Sequence, residues 1–438
     1  MIRATDAEVF EAFLRSSKVT TDSRATPAGS LFFALKGDRF NGNDYALSAL
    51  SGGCSMAVVD EARPEFEGAA VLLVEDALAA LQRVARTYRR TWDFPVFCLT
   101  GSNGKTTTKE LIHAVMLRKF PNARATFGNL NNEIGVPLTL LGIPVDAGFA
   151  IIEMGANAQR EIALLAEIAE PTHGLITNIG LAHLEGFGGP EGVKAGKREL
   201  FQYIGAHAGT VFVHGGHDVL WEVSEGLNRV VFGLKDHPPV GQIEEREGGA
   251  EFVWSDSDGT MHGPMPIHLS GDHNLENVLA AIAVGRYFGV SPQDCSAAVA
   301  SYRPKNNRFE WRDTGRNRVL LDAYNANPSS MAHAVAHFSH LPTLHEHPGF
   351  LILGDMAELG EYSPEEHRRL WDLVVQSGLE GMAVGPEFAA VASDVQGWTV
   401  CTTPEEAREA LEAQGLEGRT VLLKGSRSMA LEGLLDVL

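Results

Sequence analysis

Cysteine is scarce in this chain of 438 residues: Cys54, Cys98, Cys295 and Cys401 stand far apart and form no C-x-x-C pair. That spacing offers neither a disulfide framework nor a zinc ribbon, so reduced, buried thiols are expected. Basic charge is also short. Lys and Arg number 36 against 56 Asp and Glu, a formal net charge of −20. Such a surface repels nucleic-acid phosphates and anionic membranes, and neither is an expected partner. Anionic small molecules remain open to local cations, helix ends and divalent ions. No apolar run reaches the roughly 18 residues that would suggest a membrane span. The opening Met1-Ile2-Arg3-Ala4-Thr5-Asp6 lacks the apolar core of an export signal, and a cytoplasmic location is expected. Internal repeats and low-complexity segments are missing as well.

What is present is enough for several cores. The hydrophobic content is 44%, and the length suggests about three domains at roughly 150 residues each. One stretch organises the rest: V-F-C-L-T-G-S-N-G-K-T-T-T, residues 96–108. Five strand-like residues run into a glycine turn, a lysine, three threonines and a helical run expected from Lys109 to about Lys119. This is the layout of a phosphate-binding loop. Gly101 and Gly104 let the backbone curl so that successive N–H groups face one anion. The helix adds its positive end. Lys105 can reach the β- and γ-phosphates, and the Thr106 hydroxyl suits Mg²⁺. The first glycine of the usual G-x-x-x-x-G-K-[ST] pattern is replaced by Leu99, so the strand before and the helix after carry part of the argument. A bound nucleoside triphosphate is expected.

The chain divides into three α/β units. Residues 1–93 show short strands near 30–35, 57–59 and 70–74 and a helix from Ala77 to about Thr91. Two loops between them, T-D-S-R (21–24) and K-G-D-R-F-N-G (36–42), join cations to turn residues. They read either as a grip for a diphosphate or as solvated turns. Residues 94–304 open with the phosphate loop. The apolar strand G-F-A-I-I-E-M-G (148–155) ends in Glu153, which in an open α/β sheet faces a ligand at the strand's carboxyl end; capping a neighbouring helix is the other reading. A strand at 174–179 is followed by G-L-A-H-L-E-G-F-G (180–188), which puts His183 at the same edge. Residues 246–263 read as a polar, hairpin-like insertion. In residues 305–438, strands near 319–322, 350–354, 382–384 and 420–423 alternate with helices, as in a parallel, Rossmann-like sheet. No G-x-G-x-x-G follows the first of them, so no dinucleotide is inferred. His333, His337 and His340 have helical spacing and could gather a metal, but without carboxylate or cysteine company a solvated helix face is expected.

Eight motifs together resemble the Mur ligase family, ATP-dependent amide-bond synthetases of peptidoglycan assembly. They are G-S-N-G-K-T-T-T-K (101–109), G-N-L-N-N-E-I-G-V-P (128–137), E-M-G-A-N (153–157), A-H-L-E-G-F-G (182–188), H-N-x-x-N (273–277), D-A-Y-N-A-N-P (322–328), G-D-M-A-E-L-G (354–360) and K-G-S-R-S (424–428). The second, fourth and sixth look specific to the branch that adds D-alanyl-D-alanine to a UDP-muramoyl-tripeptide. The resemblance implies three domains: UDP-substrate binding (1–93), a central ATPase (94–304) and a Rossmann-like ligase domain (305–438). It implies ATP held by Gly101, Ser102, Asn103, Gly104, Lys105, Thr106 and Thr107, with Asn274 and Asn277 at adenine, Arg308 at the phosphates and Asp322 at ribose. Thr106 and Glu153 would hold one Mg²⁺, and His183 with a carbamoylated Lys197 a second. Arg198 stands where the family's pattern has a small residue, which would alter the carbamate's surroundings; a surface lysine is the plain alternative for Lys197. Ser23, Arg24, Lys36 and Arg39 would meet the UDP end. Asn129, Asn131, Asn132, Tyr324, Asn325 and Asn327 would meet the remaining substrate. A monomer is expected. The rival readings are a folylpolyglutamate-type synthase, which begins near its phosphate loop, and a nucleotide switch, which needs no third unit.

Overall fold

The computed structural model describes residues 2–246, 249–304 and 307–438. Its first sheet is built from β1 (Val19–Thr20) and β2 (Leu31–Phe33), a two-stranded hairpin aside, β3 (Lys36–Gly37) with β4 (Phe40–Asn41), and then β5 (Met56–Val59) and β6 (Val71–Leu73). The order is β1-β2-β5-β6, all parallel. Leu31, Phe32 and Phe33 are buried on both faces, as a parallel sheet covered by helices requires. The helix Ala77–Arg89 is capped by Asp76, which accepts from the Ala79 N–H. Its far end reaches the next unit, where Arg89 donates to the Ala169 carbonyl at 3.0 Å.

The central sheet holds β7 (Val96–Thr100), β8 (Arg124–Ala125), β9 (Ala150–Glu153), β10 (His173–Ile176), β11 (Thr210–His214) and β12 (Asn228–Phe232). All pairs are parallel in the order β12-β11-β10-β7-β9-β8. From β7 the chain leaves toward β8, whereas from β10 it leaves toward β11. The crevice at the carboxyl ends of β7 and β10 is therefore the switch point where a doubly wound sheet places its ligand.

A three-stranded antiparallel sheet follows: β13 (Val240–Arg246), β14 (Gly249–Ser255) and β15 (Met261–Ile267). This is larger and less polar than the expected insertion at 246–263, of which residues 247 and 248 lie outside the described ones. In β14, buried Ala250, Phe252 and Trp254 alternate with the more exposed Gly249, Glu251, Val253 and Ser255, a period of two that short polar flanks had masked. The third sheet contains β16 (Glu310–Asp313), β17 (Arg318–Asp322), β18 (Gly349–Gly354), β19 (Glu380–Val384), β20 (Trp398–Cys401) and β21 (Thr420–Lys424). Its order is β16-β17-β21-β18-β19-β20, parallel except for the β16 edge. All four cysteines are free and buried, and no described helix is long and apolar enough to cross a membrane.

Candidate active site

The phosphate loop joins β7 to the helix Lys105–Met116, which starts four residues earlier than the threonine-rich sequence suggested. Gly104 enters that helix at φ 78°, and a Cβ there would stand 2.5 Å from Asn277 Oδ1. At Gly101, φ 148°, a Cβ would stand 2.0 Å from Thr177 Oγ1. Both positions are closed to side chains by conformation and by space. The loop is laced to the end of β10. Asn178 accepts the Ser102 N–H through its carbonyl and the Asn103 N–H through Oδ1, each at 3.0 Å. Those two amides are thus committed, which narrows the expected cradle. The free donors are the first-turn amides of the helix, which have no intrahelical acceptor. Lys105 Nζ donates to the carbonyls of Gly101 at 2.6 Å and Ser102 at 3.2 Å. Burial, with help from Arg308, pushes its pKa down to about 8.

Behind the loop lies a second group of polar side chains. Glu153, at the end of β9 and 1% exposed, accepts from Asn131 Nδ2 at 2.8 Å and Thr106 Oγ1 at 3.3 Å. Its other oxygen is buried without a hydrogen bond, 3.5 Å from Lys109 Nζ. Glu153 caps no helix; it faces the loop. His183 adopts φ 54°, and its Nδ1 meets a carboxylate oxygen of Glu358, itself at φ 62°, from the third domain. Left-handed backbone at two facing non-glycine residues is strain that a contact must maintain. Lys197 sits on the helix Pro190–Ala206 and is 1% exposed, which rules out the surface-lysine alternative. Its Nζ has no hydrogen-bond partner and lies 5.0 Å from the centre of the Phe187 ring. Burial, and the nearby Lys105 charge, drive its pKa well below the ordinary lysine value. Arg198 points outward and is exposed, so the expected disturbance of Lys197 by its neighbour does not arise: adjacent helix residues face about 100° apart.

These groups line or underlie one cleft of about 310 Å³ walled by the central and third domains. The third domain contributes Arg308, whose guanidinium lies 3.6 Å from the centre of the Tyr324 ring. Flanking Asn307 and Phe309 take φ 56° and 53°, so the backbone bends sharply to present it. Asp322 pairs with Lys424 Nζ at 2.5 Å, and Lys424 also donates to the Asn325 carbonyl. Asn327 Nδ2 donates to Asn103 Oδ1 at 2.7 Å, which ties the third domain directly to the phosphate loop. Asn274 and Asn277 are buried beside the loop; Asn277 accepts from Thr108 Oγ1 at 2.8 Å and donates to Asn274 Oδ1 at 3.2 Å. Asn129 and Asn132 line the cleft, and Asn132 Oδ1 also accepts the N–H of Gly135, the first residue of the helix Gly135–Leu141.

The four first-domain candidates lie elsewhere. Lys36 is paired with Asp60 at 2.9 Å and Glu61 at 3.1 Å, Arg24 with Asp22 at 2.8 Å; Arg39 is exposed and Ser23 half-buried. Lys109, Lys424, Glu358 and Phe309 were not singled out from the sequence. The first three stood inside quoted motifs, G-S-N-G-K-T-T-T-K, K-G-S-R-S and G-D-M-A-E-L-G, which was the available signal. Of the histidine run, His333 and His340 are exposed as expected, but His337 is largely buried, its ring 5.3 Å from that of Phe309.

Three stretches match descriptions of one family: "Mur ligase family, catalytic domain" over residues 16–89, "Mur ligase middle domain" over 99–285, and "Mur ligase, glutamate ligase domain" over 307–427. A UDP-N-acetylmuramoyl-tripeptide–D-alanyl-D-alanine ligase of Synechocystis is 35% identical across 97% of this chain and 92% of that protein. The chain belongs to the Mur ligase family. A relative of the same name from Escherichia coli is 34% identical over 99% of this chain and 96% of its own. Among solved structures, "Crystal structure I of MurF from Acinetobacter baumannii" superposes with a TM-score of 0.87 at 28% identity, covering 99% and 98% of the two chains. The MurF ligase of Thermotoga maritima in complex with ADP gives 0.84 at 26%, covering 97% of each. A Mycobacterium tuberculosis folylpolyglutamate synthase shares the fold alone, at 12% identity and a TM-score of 0.62 over 81% of this chain and 92% of that one.

Proposed function

We propose that the chain is an ATP-dependent ligase that joins D-alanyl-D-alanine to the terminal carboxylate of UDP-N-acetylmuramoyl-tripeptide, giving the pentapeptide, ADP and phosphate. The observation that carries the reading is the single cleft on which the Lys105 loop, Glu153 and Arg308 converge from two domains. Its division of labour follows the ranges 1–93, 94–304 and 305–438.

A carboxylate is a poor electrophile, so the reaction begins by moving the γ-phosphoryl group of ATP onto it. Two anions must then approach in line, which calls for fixed positive charge around both. Lys105 and Arg308 supply it from the two domains that line the cleft, and the first-turn amides of the Lys105–Met116 helix add neutral donors. Asn274 and Asn277 would take adenine, and Asp322, oriented by Lys424, the ribose. The dipeptide amine then attacks the acyl phosphate, phosphate departs, and the amide forms. The Asn327–Asn103 and Glu358–His183 contacts hold the third domain over the site and exclude water that would hydrolyse the intermediate.

The residues fit two divalent ions. Thr106 and Glu153, one of whose buried carboxylate oxygens makes no hydrogen bond, would hold one Mg²⁺; His183 and Lys197 would hold the other. When bound, the ions neutralise charge on the transferring phosphoryl group and its acceptor. Lys197 suits this role only as a carbamate, formed when its neutral amine adds to CO₂ with loss of one proton. The dry pocket and lowered pKa supply that neutral amine. Ser23, Arg24, Lys36 and Arg39 would take the UDP end, and Asn129, Asn131, Asn132, Tyr324, Asn325 and Asn327 the peptide and acceptor. Phosphate release measured with ATP and UDP-muramoyl-tripeptide tests the reading. D-Alanyl-D-alanine should support it, and single D-alanine, L-lysine or glutamate should not; equal rates with glutamate would favour a folate-type ligase.

A further inference from the structure

The end of β11, the loop after it and the helix Asp272–Tyr287 bring together His214, His217 and Glu276. One ligating atom of each lies within 4.8 Å of the others. Asn274 and Asn277 line the nucleotide cleft, but Glu276 does not; it turns toward the β11 loop. His217 Nε2 and Glu276 Oε1 are 3.0 Å apart, yet the ring nitrogen has no aligned hydrogen bond. Two ligands of one tetrahedral zinc, each about 2.0–2.1 Å from the ion, stand roughly 3.3 Å apart. Beside them is a small cavity of about 10 Å³, walled by His214 and Glu276 together with Thr108, Thr177 and Asn277. That is about the room for one water or one ion. Among the described residues the His214 ring takes one hydrogen bond, a long one from the Gly216 N–H at 3.2 Å from Nδ1, and packs edge-on against Phe232. All three side chains are half-buried, enclosed enough to lose water yet reachable from solvent.

We infer that His214, His217 and Glu276 form a binding site for one borderline divalent cation such as Zn²⁺, completed by water. Two imidazoles and one carboxylate favour zinc, cobalt or nickel over magnesium, which prefers oxygen throughout. The ion would staple the β11 loop to the helix that also carries Asn274 and Asn277, the latter bordering both the small cavity and the nucleotide cleft. It is separate from the Mg²⁺ ligands of the proposed reaction.

The test uses the full chain, stripped with chelator and then saturated with Mg²⁺ and ADP so that the nucleotide cleft is occupied. Titration with Zn²⁺ should give one equivalent per chain, and Co²⁺ should give the visible absorption bands of a histidine-ligated ion. His217→Gln and Glu276→Gln should each weaken binding by at least about 100-fold, the upper end of what even outer-shell changes cost. His217 sits on a partly exposed loop, so the His217→Gln protein should fold, with a melting temperature that Zn²⁺ no longer raises. Failure of the parent to bind zinc, zinc released by Mg²⁺ and ADP, or unchanged affinity in both variants would overturn the inference.

Discussion

The nucleotide edge of the central domain and the candidate UDP grip of the first domain are built on opposite principles. At the first, Gly101 and Gly104 sit where a methyl group would strike Thr177 and Asn277. Most polar side chains around them, Ser102, Lys105, Thr106, Glu153 and Asn277 among them, are buried or bonded to a named partner. At the second, Arg24 keeps 88% of its side-chain exposure while paired with Asp22, and Lys36 keeps 46% beside Asp60 and Glu61. One region is preorganised, so its groups act at full strength without rearranging. The other is solvated and adaptable, and its ion pairs are weakened by the water that screens them. The chemistry should therefore be brittle where substrate capture is tolerant.

Removing the loop cation should break that contrast most sharply if the contrast is wrong. Lys105→Ala is expected to lower kcat by about 10²–10³-fold, with UDP-substrate binding unchanged by calorimetry. Turnover near the parent rate would place the phosphates elsewhere. Lys197→Ala should cost about as much and recover partly with added acetate. Protein equilibrated with ¹³C-bicarbonate should show a carbamate resonance that this variant lacks, and its absence from the parent would end the carbamate assignment.

Gly104→Ala should cost about 1–3 kcal/mol of folding stability in urea unfolding, because the left-handed backbone and the Asn277 contact both oppose it. Titration gives a finer probe. The Lys105 pKa, about 8, lies below its ordinary 10.5, so between those values the unfolded chain binds more protons. This lysine's contribution to stability then increases as pH rises through that window. Activity runs the other way, because the charge is lost above about pH 8. The kcat/KM for ATP should fall there, and Lys105→Arg should move that limb upward. The smallest effect belongs to the first domain. Arg24→Ala should leave kcat intact and raise KM for the UDP substrate less than about fivefold. A hundredfold loss would show that the exposed grip is as brittle as the loop.

The same contrast explains what could be read from sequence. Strands such as β7, β9 and β18 announce themselves as apolar runs bounded by glycine, and the phosphate loop follows from Gly101, Gly104 and Lys105. The short edges β1, β8 and β20, of 2, 2 and 4 residues, carry too little pattern to stand out. The roles of Glu358 and Lys424 needed the third domain in place, since their partners His183 and Asp322 lie far away in the chain. The burial of Lys197 was equally hidden: Phe187, which covers it, is ten positions away and belongs to a separate short helix. The first-domain loops stayed ambiguous because a solvated grip and a solvated turn use the same residues.

Acyl transfer through a phosphorylated carboxylate is the central claim, and oxygen isotope transfer tests it most directly. UDP-muramoyl-tripeptide labelled with ¹⁸O in its terminal carboxylate would be ligated to D-alanyl-D-alanine in unlabelled water, and the released phosphate examined by mass spectrometry. The account predicts one labelled oxygen in phosphate for each amide formed, accumulating about 10²–10³-fold more slowly with the Lys105→Ala protein. Unlabelled phosphate accompanying amide formation would contradict it.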